Sequence, residues 1–256
     1  MTGNTATLIL NRPNVHNAFH FEMLNEILDV FKSIDCNNVD ILVIRGAGSS
    51  FCGGADIKWF SGLINLTEVE LRNQLQSLSN VLWELYNHSV TTIAVLTGSV
   101  LGGGIGLSAA CDYVVGEEDI KMAFREVKLG ITPALISPFV INKIGSNNAK
   151  ELMLFGNYFS GTEAQKLGLV SHLVKKNELE TALNNLIKEL QSGGIKARKS
   201  IKTLISGINM QNVNPEILGF ALNNSISVIR SEEAKEGFLA FLEKRKPNWQ
   251  KLREKE

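Results

Sequence analysis

Cysteine, histidine and net charge are all in short supply in this chain of 256 residues. Its three cysteines, Cys36, Cys52 and Cys111, are odd in number and form no C-x-x-C pair. That excludes a disulfide frame or a cysteine zinc site and points to free thiols in a reducing compartment. The four histidines show no H-x-x-x-H spacing, so no helical metal pair is expected. The 26 Lys and Arg residues balance 26 Asp and Glu residues, leaving a net charge of zero. Without a basic field, neither nucleic acid nor an anionic membrane is an expected partner. No apolar run approaches the roughly 20 residues that a membrane span needs. The chain opens with neither a signal peptide nor an Arg-rich transit segment, so a soluble, cytoplasmic protein is expected. Low-complexity tracts are missing too. What remains is long enough to bury a substantial core.

What the chain does have is glycine, in two clusters. Gly98–Asp112 reads GSVLGGGIGLSAACD and follows the apolar, β-branched run Thr92–Thr97. The pattern predicts a buried strand, a glycine-rich turn and a packed helix. Gly102, Gly103 and Gly104 lack a Cβ, so another molecule can approach the backbone. The first helical turn leaves N–H groups free, and the helix dipole adds partial positive charge there. Gly104, Gly106 and Ala109 fit G-x-G-x-x-A, but a dinucleotide fingerprint should follow its strand directly and open its domain. Here Gly98 and further residues intervene, and about ninety residues precede the strand. The second cluster, Ser49–Trp59 (SSFCGGADIKW), follows the strand Ile41–Ile44. Two strand ends with exposed backbone can each offer one N–H to the same oxygen.

These clusters resemble the crotonase (enoyl-CoA hydratase/isomerase) superfamily, which carries G-A-D-I/L after one strand and G-x-x-x-G-G-G after a later one. Asn11–Ala18 is similar to that family's N-R-P-x-x-x-N-A opening, and Ala240–Pro247 to its closing A-F-x-E-K-R-x-P. Four motifs in order cover nearly the whole chain. The resemblance implies an α/β fold: a crotonase (ClpP-like) spiral of ββα repeats with a C-terminal helical trimerisation region. Gly193-Gly194 places the boundary, giving a spiral core over 1–192 and the helical region over 193–256. The implied partner is an acyl-CoA thioester. No cofactor is implied, since coenzyme A belongs to the substrate, and no metal. A homotrimer is expected, paired into a dimer of trimers, with apolar faces from Phe220, Ala221, Phe238, Phe241 and Leu242, and with Lys244 near a neighbour's CoA.

Within that frame the remaining elements follow from periodicity and caps. A strand spans Thr5–Leu10; only four residues precede it, so an earlier edge strand would be absent or very short. Helices are expected over Phe19–Ile34, with Leu24, Ile27, Leu28, Phe31 and Ile34 inward, and over Thr67–Asn87, with Leu71, Leu75, Leu78, Val81, Leu82 and Leu85 inward. Short strands follow at Tyr113–Val115 and Lys121–Phe124. Pro133 suits the first turn of a helix to Lys143, Asn147 caps another to Phe155, and Ser160–Glu163 forms a capping box for one to Leu167. Val170–Val174 is a small strand. Helices complete the chain at Glu178–Leu190, Ile195–Ile208, Pro215–Arg230 and Glu232–Arg245.

The resemblance also implies the chemistry. The N–H groups of Ala55 and Gly103 would hold the thioester oxygen, with Gly54 and Gly102 keeping the approach open. Asp56, Ile57, Lys58, Gly106, Pro133 and Lys244 complete the expected substrate surface. Family hydratases carry two glutamates. One stands three residues after the Gly103 position, where this chain has Gly106. The other, in P-E-x-x-L-G, falls on Glu126. Asp112 is a weaker candidate that satisfies backbone groups, and Glu117, Glu118 and Asp119 read as a solvated turn. Ile131–Gly145, with the glycines upstream, resembles bacterial methylglutaconyl-CoA hydratases. That implies hydration of a branched enoyl-CoA such as 3-methylglutaconyl-CoA, with Gly106 clearing room for the branch. A single glutamate also suits a Δ3–Δ2 enoyl-CoA isomerase. A non-catalytic CoA-binding assembly subunit is the alternative outside catalysis.

Overall fold

In a computed structural model, residues 4–208 and 232–248 are described. Strands β1 (Thr5–Leu10), β2 (Ile41–Gly46), β3 (Thr91–Leu96), β5 (Tyr113–Glu117) and β8 (His172–Val174) form one parallel sheet in the order β1-β2-β3-β5-β8. A smaller sheet joins β4 (Ser99–Leu101), β6 (Lys121–Ala123) and β7 (Phe159–Ser160). Single bridges extend its theme: Phe19 pairs with Ala55, and Cys52 with Val100. The chain therefore turns repeatedly through a strand in the large sheet, an extended segment beside the small one, and a helix. This is the α/β spiral of ββα repeats. β4 was not expected; its three residues sit inside what reads as a glycine turn.

Both faces of the central strands β2, β3 and β5 are buried, as in parallel sheets covered on both sides. Leu42, Ile44, Ala94, Leu96 and Val114 face a core built with helices α1 (Phe21–Ser33), α3 (Glu68–Asn87), α4 (Gly103–Ala110) and α5 (Ser137–Phe155). Ile41, Val43, Ile93, Val95 and Val115 face α7 (Leu179–Ser192). On α3 the buried run starts at Ser77; Leu71 and Leu75, expected in the core, are only half-buried. Thr67 and Glu70 close a capping box on α3, and Ser160 and Glu163 close one on α6 (Gly161–Leu167).

The helix expected at Pro133 begins instead at Ser137, and α5 runs through a kink at Gly145 (φ 75°). Pro133–Ile136 is thereby released as loop. Glu117, expected in a solvated turn, ends β5 and is buried, whereas Glu118 and Asp119 are exposed. Past Gly193-Gly194, helix α8 (Ile195–Ile208) stays tied to the core. Its Arg198 donates to Asp40 at 2.7 Å, and its Lys202 donates to Asp112 at 2.6 Å. Glu233, on α9 (Glu232–Leu242), accepts from the N–H groups of Lys196 and Ala197 and caps α8. The expected helix at Pro215–Arg230, including Phe220 and Ala221, lies outside the described residues, as do the side chains of Phe238, Phe241 and Leu242. Among the described residues no helix is long and apolar enough to cross a membrane.

The opening motif serves as a clamp. Asn17, fully buried at φ 56°, accepts from Arg12 N–H and donates to the carbonyls of Ala47 and Ser50. Arg12 donates to the Ala18 carbonyl and, at 2.9 Å, to Asp56. Asn17→Ala removes three hydrogen bonds and leaves buried groups bare, at a cost of about 3 kcal/mol. Removing the exposed cap with Thr67→Ala costs about 1 kcal/mol. Urea denaturation of both variants checks this ordering; equal losses would mean that the Asn17 clamp contributes no more than a helix cap.

Candidate active site

A cavity of about 550 Å3 opens where the two glycine loops meet the loop before α5. Its walls include Gly54, Ala55, Gly102, Gly103 and Glu126, together with the apolar side chains of Phe19, Leu78, Leu135 and Ile136.

Ala55 is set by strand geometry. The Gly54 carbonyl accepts from Phe19 N–H at 2.9 Å, and Asp56 N–H donates to the Phe19 carbonyl at 2.8 Å. Consecutive groups along an extended strand point to opposite sides. The Ala55 N–H therefore faces away from Phe19, and it has no acceptor among the described residues. Gly54 holds φ at 90°, in the left-handed region. A Cβ there would lie 2.9 Å from the Leu101 carbonyl oxygen and 3.7 Å from Gly103 N, so the two loops abut.

Gly103 opens α4. Its N–H lies in the turn that has no intrahelical acceptors, and none exists among the described residues. Gly102, at φ 45°, caps the helix, and its own N–H donates to the Ala123 carbonyl. A Cβ on Gly103 would strike the Phe19 ring at 2.2 Å. Phe19 is thus the floor beneath both loops, a role that its place beside Asn17-Ala18 did not signal.

Glu126 starts a 3-10 turn, Glu126–Leu129, after β6. On one side Phe124 is fully buried. Next to it, Arg125 donates to the Gly156 carbonyl at 2.9 Å and stacks over the Tyr158 ring at 5.2 Å. These anchors turn the Glu126 side chain inward. A Cβ on Gly102 would lie 2.6 Å from Glu126 Oε1, so only glycine lets the carboxylate sit there. Oε2 is buried without a hydrogen-bond partner. Burial pushes the Glu126 carboxyl above its ordinary value, against a small opposing effect of its own N–H. A base of raised pKa beside free N–H donors can take a proton from a carbon whose carbonyl oxygen those donors hold.

The other expected site residues divide. Ile57 and Pro133 line the cavity. Asp56, Lys58, Gly106 and Lys244 are not among its walls. Burial raises the Asp56 carboxyl, but the Arg12 guanidinium and the Lys58 N–H outweigh it and hold the group below its ordinary value. Asp56 thus caps α2 (Ile57–Gly62) and clamps the loop. Lys58 is exposed on α2, and Lys244 is exposed at φ 53° just beyond α9. Gly106 corrects an expectation. It opens no room: a Cβ there would stand 2.3 Å from Ile136 Cγ2, so the Ile136 side chain already fills the space. Asp112 accepts from Thr92 and Lys202 and is spent on structure. Burial pushes the Cys52 thiol up to about 12, which keeps it protonated beside the glycines. Among the described residues, no three His, Cys, Asp or Glu side chains cluster as a metal site would need.

Residues 2–253 match the enoyl-CoA hydratase/isomerase family model. A crotonyl-CoA hydratase from Syntrophomonas wolfei is 31% identical, covering 95% of this chain and 94% of its own. An enoyl-CoA isomerase/hydratase, fer4, from Mycosarcoma maydis is 30% identical over 94% of this chain and 90% of its own. Among solved structures, Pseudomonas aeruginosa AtuE superposes with a TM-score of 0.92 at 32% identity, covering 97% of this chain and 96% of its own. The chain therefore belongs to the enoyl-CoA hydratase/isomerase (crotonase) family of enzymes.

Proposed function

We propose that this enzyme moves a proton on an enoyl-CoA thioester, with Ala55 and Gly103 N–H as the oxyanion donors and Glu126 as the single acid–base group. The observation that carries this is the buried, unpartnered Glu126 oxygen, its carboxylate against Gly102 and beside two N–H groups that nothing else uses. Loss of the C2 proton to Glu126 puts negative charge on the thioester oxygen. Two fixed donors stabilise that charge by about 3 kcal/mol each. Return of the same proton to C4 breaks no other bond and shifts the double bond from C3–C4 to C2–C3. That reaction is a Δ3–Δ2 enoyl-CoA isomerisation.

Water addition is helped by a further group that orients water at C3. Among the described residues Glu126 is the only carboxylate on the cavity walls, and at Gly106 the Ile136 side chain presents hydrocarbon. This favours isomerisation over hydration. Hydration is the second reading, favoured by the name of the Syntrophomonas relative. In it Glu126 would take a proton from water attacking C3 and return one to C2. A branched acyl group loses its support once Gly106 offers no room. A distal carboxylate, as in 3-methylglutaconyl-CoA, would find only Arg125 among the cavity walls, already held by Gly156 and Tyr158. Lys58, and Lys244 from a neighbouring copy of a homotrimer, are proposed to meet the CoA phosphates. Light scattering should give a trimer or its double at micromolar concentration; an active monomer overturns that assembly.

Glu126→Gln should lower kcat about a thousandfold and leave acyl-CoA binding within about tenfold. Near-normal kcat would sink the mechanism. The same variant tests the burial of the charge. A carboxyl whose pKa is raised on folding weakens the fold when ionised. Glu126→Gln should therefore raise Tm at neutral pH, and the gain should fade as pH falls through the raised pKa towards the unfolded value. In the wild type, kcat/KM should climb with pH through a value above that of an ordinary glutamate. A Tm gain that grows on acidification would contradict the sign.

Gly106→Glu alone should destabilise the protein by about 1–3 kcal/mol, because its Cβ meets Ile136, and should add no hydration. Combining it with Ile136→Gly opens the space. The double variant should regain stability and hydrate crotonyl-CoA, followed by loss of the conjugated thioester absorbance. A single variant as stable as wild type would show that Ile136 does not control this position.

A further inference from the structure

The loop that carries Ala55 runs directly into α2, with Asp56 as the cap between them. α2 has no fully buried side chain, so core packing alone does not fix it. Ile57 and Phe60, three residues apart, share the face that lines the cavity. Trp59 is not among the cavity walls. Its indole is half-buried against the core and meets the Phe19 ring edge-on, with centroids 6.5 Å apart at 63°. The indole Nε1 donates to Gln74 Oε1, on α3, at 2.7 Å. Among the described residues no other hydrogen bond joins α2 to α3. Gln74 is half-buried as well and stays out of the cavity that its neighbour Leu75 lines. Phe19 gives this contact its consequence. Its backbone bonds to the residues on both sides of Ala55, and its ring is what a side chain on Gly103 would strike. An indole tied to Gln74 has one place to sit beside that ring. Without the acceptor its N–H would be half-buried and unpaired, and the ring would turn to recover a partner. Phe19 would lose its edge contact, and Ala55 would rest on the clamp of Arg12, Asn17 and Asp56 alone.

We infer that Trp59 is a positioning residue for the reaction: held by Gln74, it sets the Phe19 ring and, through it, the Ala55 N–H. Trp59 reaches no substrate atom and acts only through Phe19. The inference rests on the reading of Ala55 and Gly103 as oxyanion donors, and it adds the pair that keeps one of them in place. Fixed donors stabilise developing charge only when their geometry is held to within about half an ångström. The uncharged ester in the ground state makes a weaker demand on them. Loss of the brace should therefore appear in kcat more than in KM.

Gln74→Leu removes the acceptor and Gln74→Glu keeps one. Gln74→Leu should lower kcat for 3-hexenoyl-CoA about tenfold and leave KM within about threefold, inside the hundredfold that an ångström of misplacement can cost. Gln74→Glu should restore most of the rate. Trp59→Phe, which keeps a ring without the N–H, should match Gln74→Leu. The double variant should be no slower than the slower single, because both remove one bond. Should Trp59→Phe fail to fold, the two Gln74 variants decide. A second readout needs no turnover. Acetoacetyl-CoA ionises to an enolate that its near-ultraviolet absorbance reports, and donors that hold the oxyanion lower the pH at which the bound ester ionises. That drop should shrink by about one pH unit in Gln74→Leu, the same tenfold. A lowered Tm with kcat and the drop unchanged would make the bond a plain structural tie and overturn the inference. So would Gln74→Glu as slow as Gln74→Leu. If 3-hexenoyl-CoA is not turned over at all, the isomerase reading fails and the enolate readout decides the brace. A wild type that gives no drop removes the oxyanion donors and the brace with them. A wild-type drop that Gln74→Leu keeps in full removes the brace alone.

Discussion

A carboxylate oxygen buried without a partner is an unfavourable thing to build, and the rest of this site depends on holding one. Glu126 meets Gly102 where any side chain would collide with it. Burial outweighs the opposing effect of its own N–H, so the charged form is disfavoured and its proton affinity rises. Such a group returns towards water unless its neighbours prevent it. Phe124 buried on one side and Arg125 pinned to Gly156 and Tyr158 leave the intervening backbone little freedom. The desolvation cost is local to this one group.

The two N–H groups pose the complementary problem, since a free donor in an apolar wall also costs free energy. Each is kept free by a different device. Ala55 N–H is turned away from its pairing partner by strand alternation, with Phe19 bonded to the residues on either side of it. Gly103 N–H is free because a helix begins there. The first device is the more fragile, because a single bridge does not fix a loop. Asn17, Arg12 and Asp56 supply what the bridge lacks. The N-R-P-x-x-x-N-A opening is thus a brace for Ala55, nearly forty residues further along the chain.

Much of this was legible before any coordinates. The order of strands and helices followed from periodicity and caps, and the Ser160–Glu163 capping box stands where its sequence puts it, while the one at Thr67 and Glu70 went unread. The convergence of Ala55, Gly103 and Glu126 followed from motif spacing and the resemblance it carried. What was not legible has a common physical cause. β4 is too short and too rich in glycine neighbours to show a strand pattern, and only its pairing with β6 makes it one. The loop at Pro133–Ile136 reads as helix because proline is at home in a first turn, yet the turn actually used starts at Ser137, with Pro138 beside it. Asp56, next to Ala55, reads as a ligand; its bond is to Arg12, and no local pattern reveals a partner 44 residues away.

Gly106 shows the same limit most sharply. A glycine in place of a larger side chain suggests vacant space, and vacant space suggests a bulkier substrate. That step fails because interiors are close-packed, so an atom missing from one element is replaced by atoms from another. Here the replacement is Ile136, delivered by the very loop that proline seemed to make helical. The two surprises are one: the loop leaves the helix, and the side chain that it swings inward closes the space beside α4. Polarity, not volume, is therefore what differs at this wall. A site with hydrocarbon at that point can still move a proton between carbons, but it holds water there poorly.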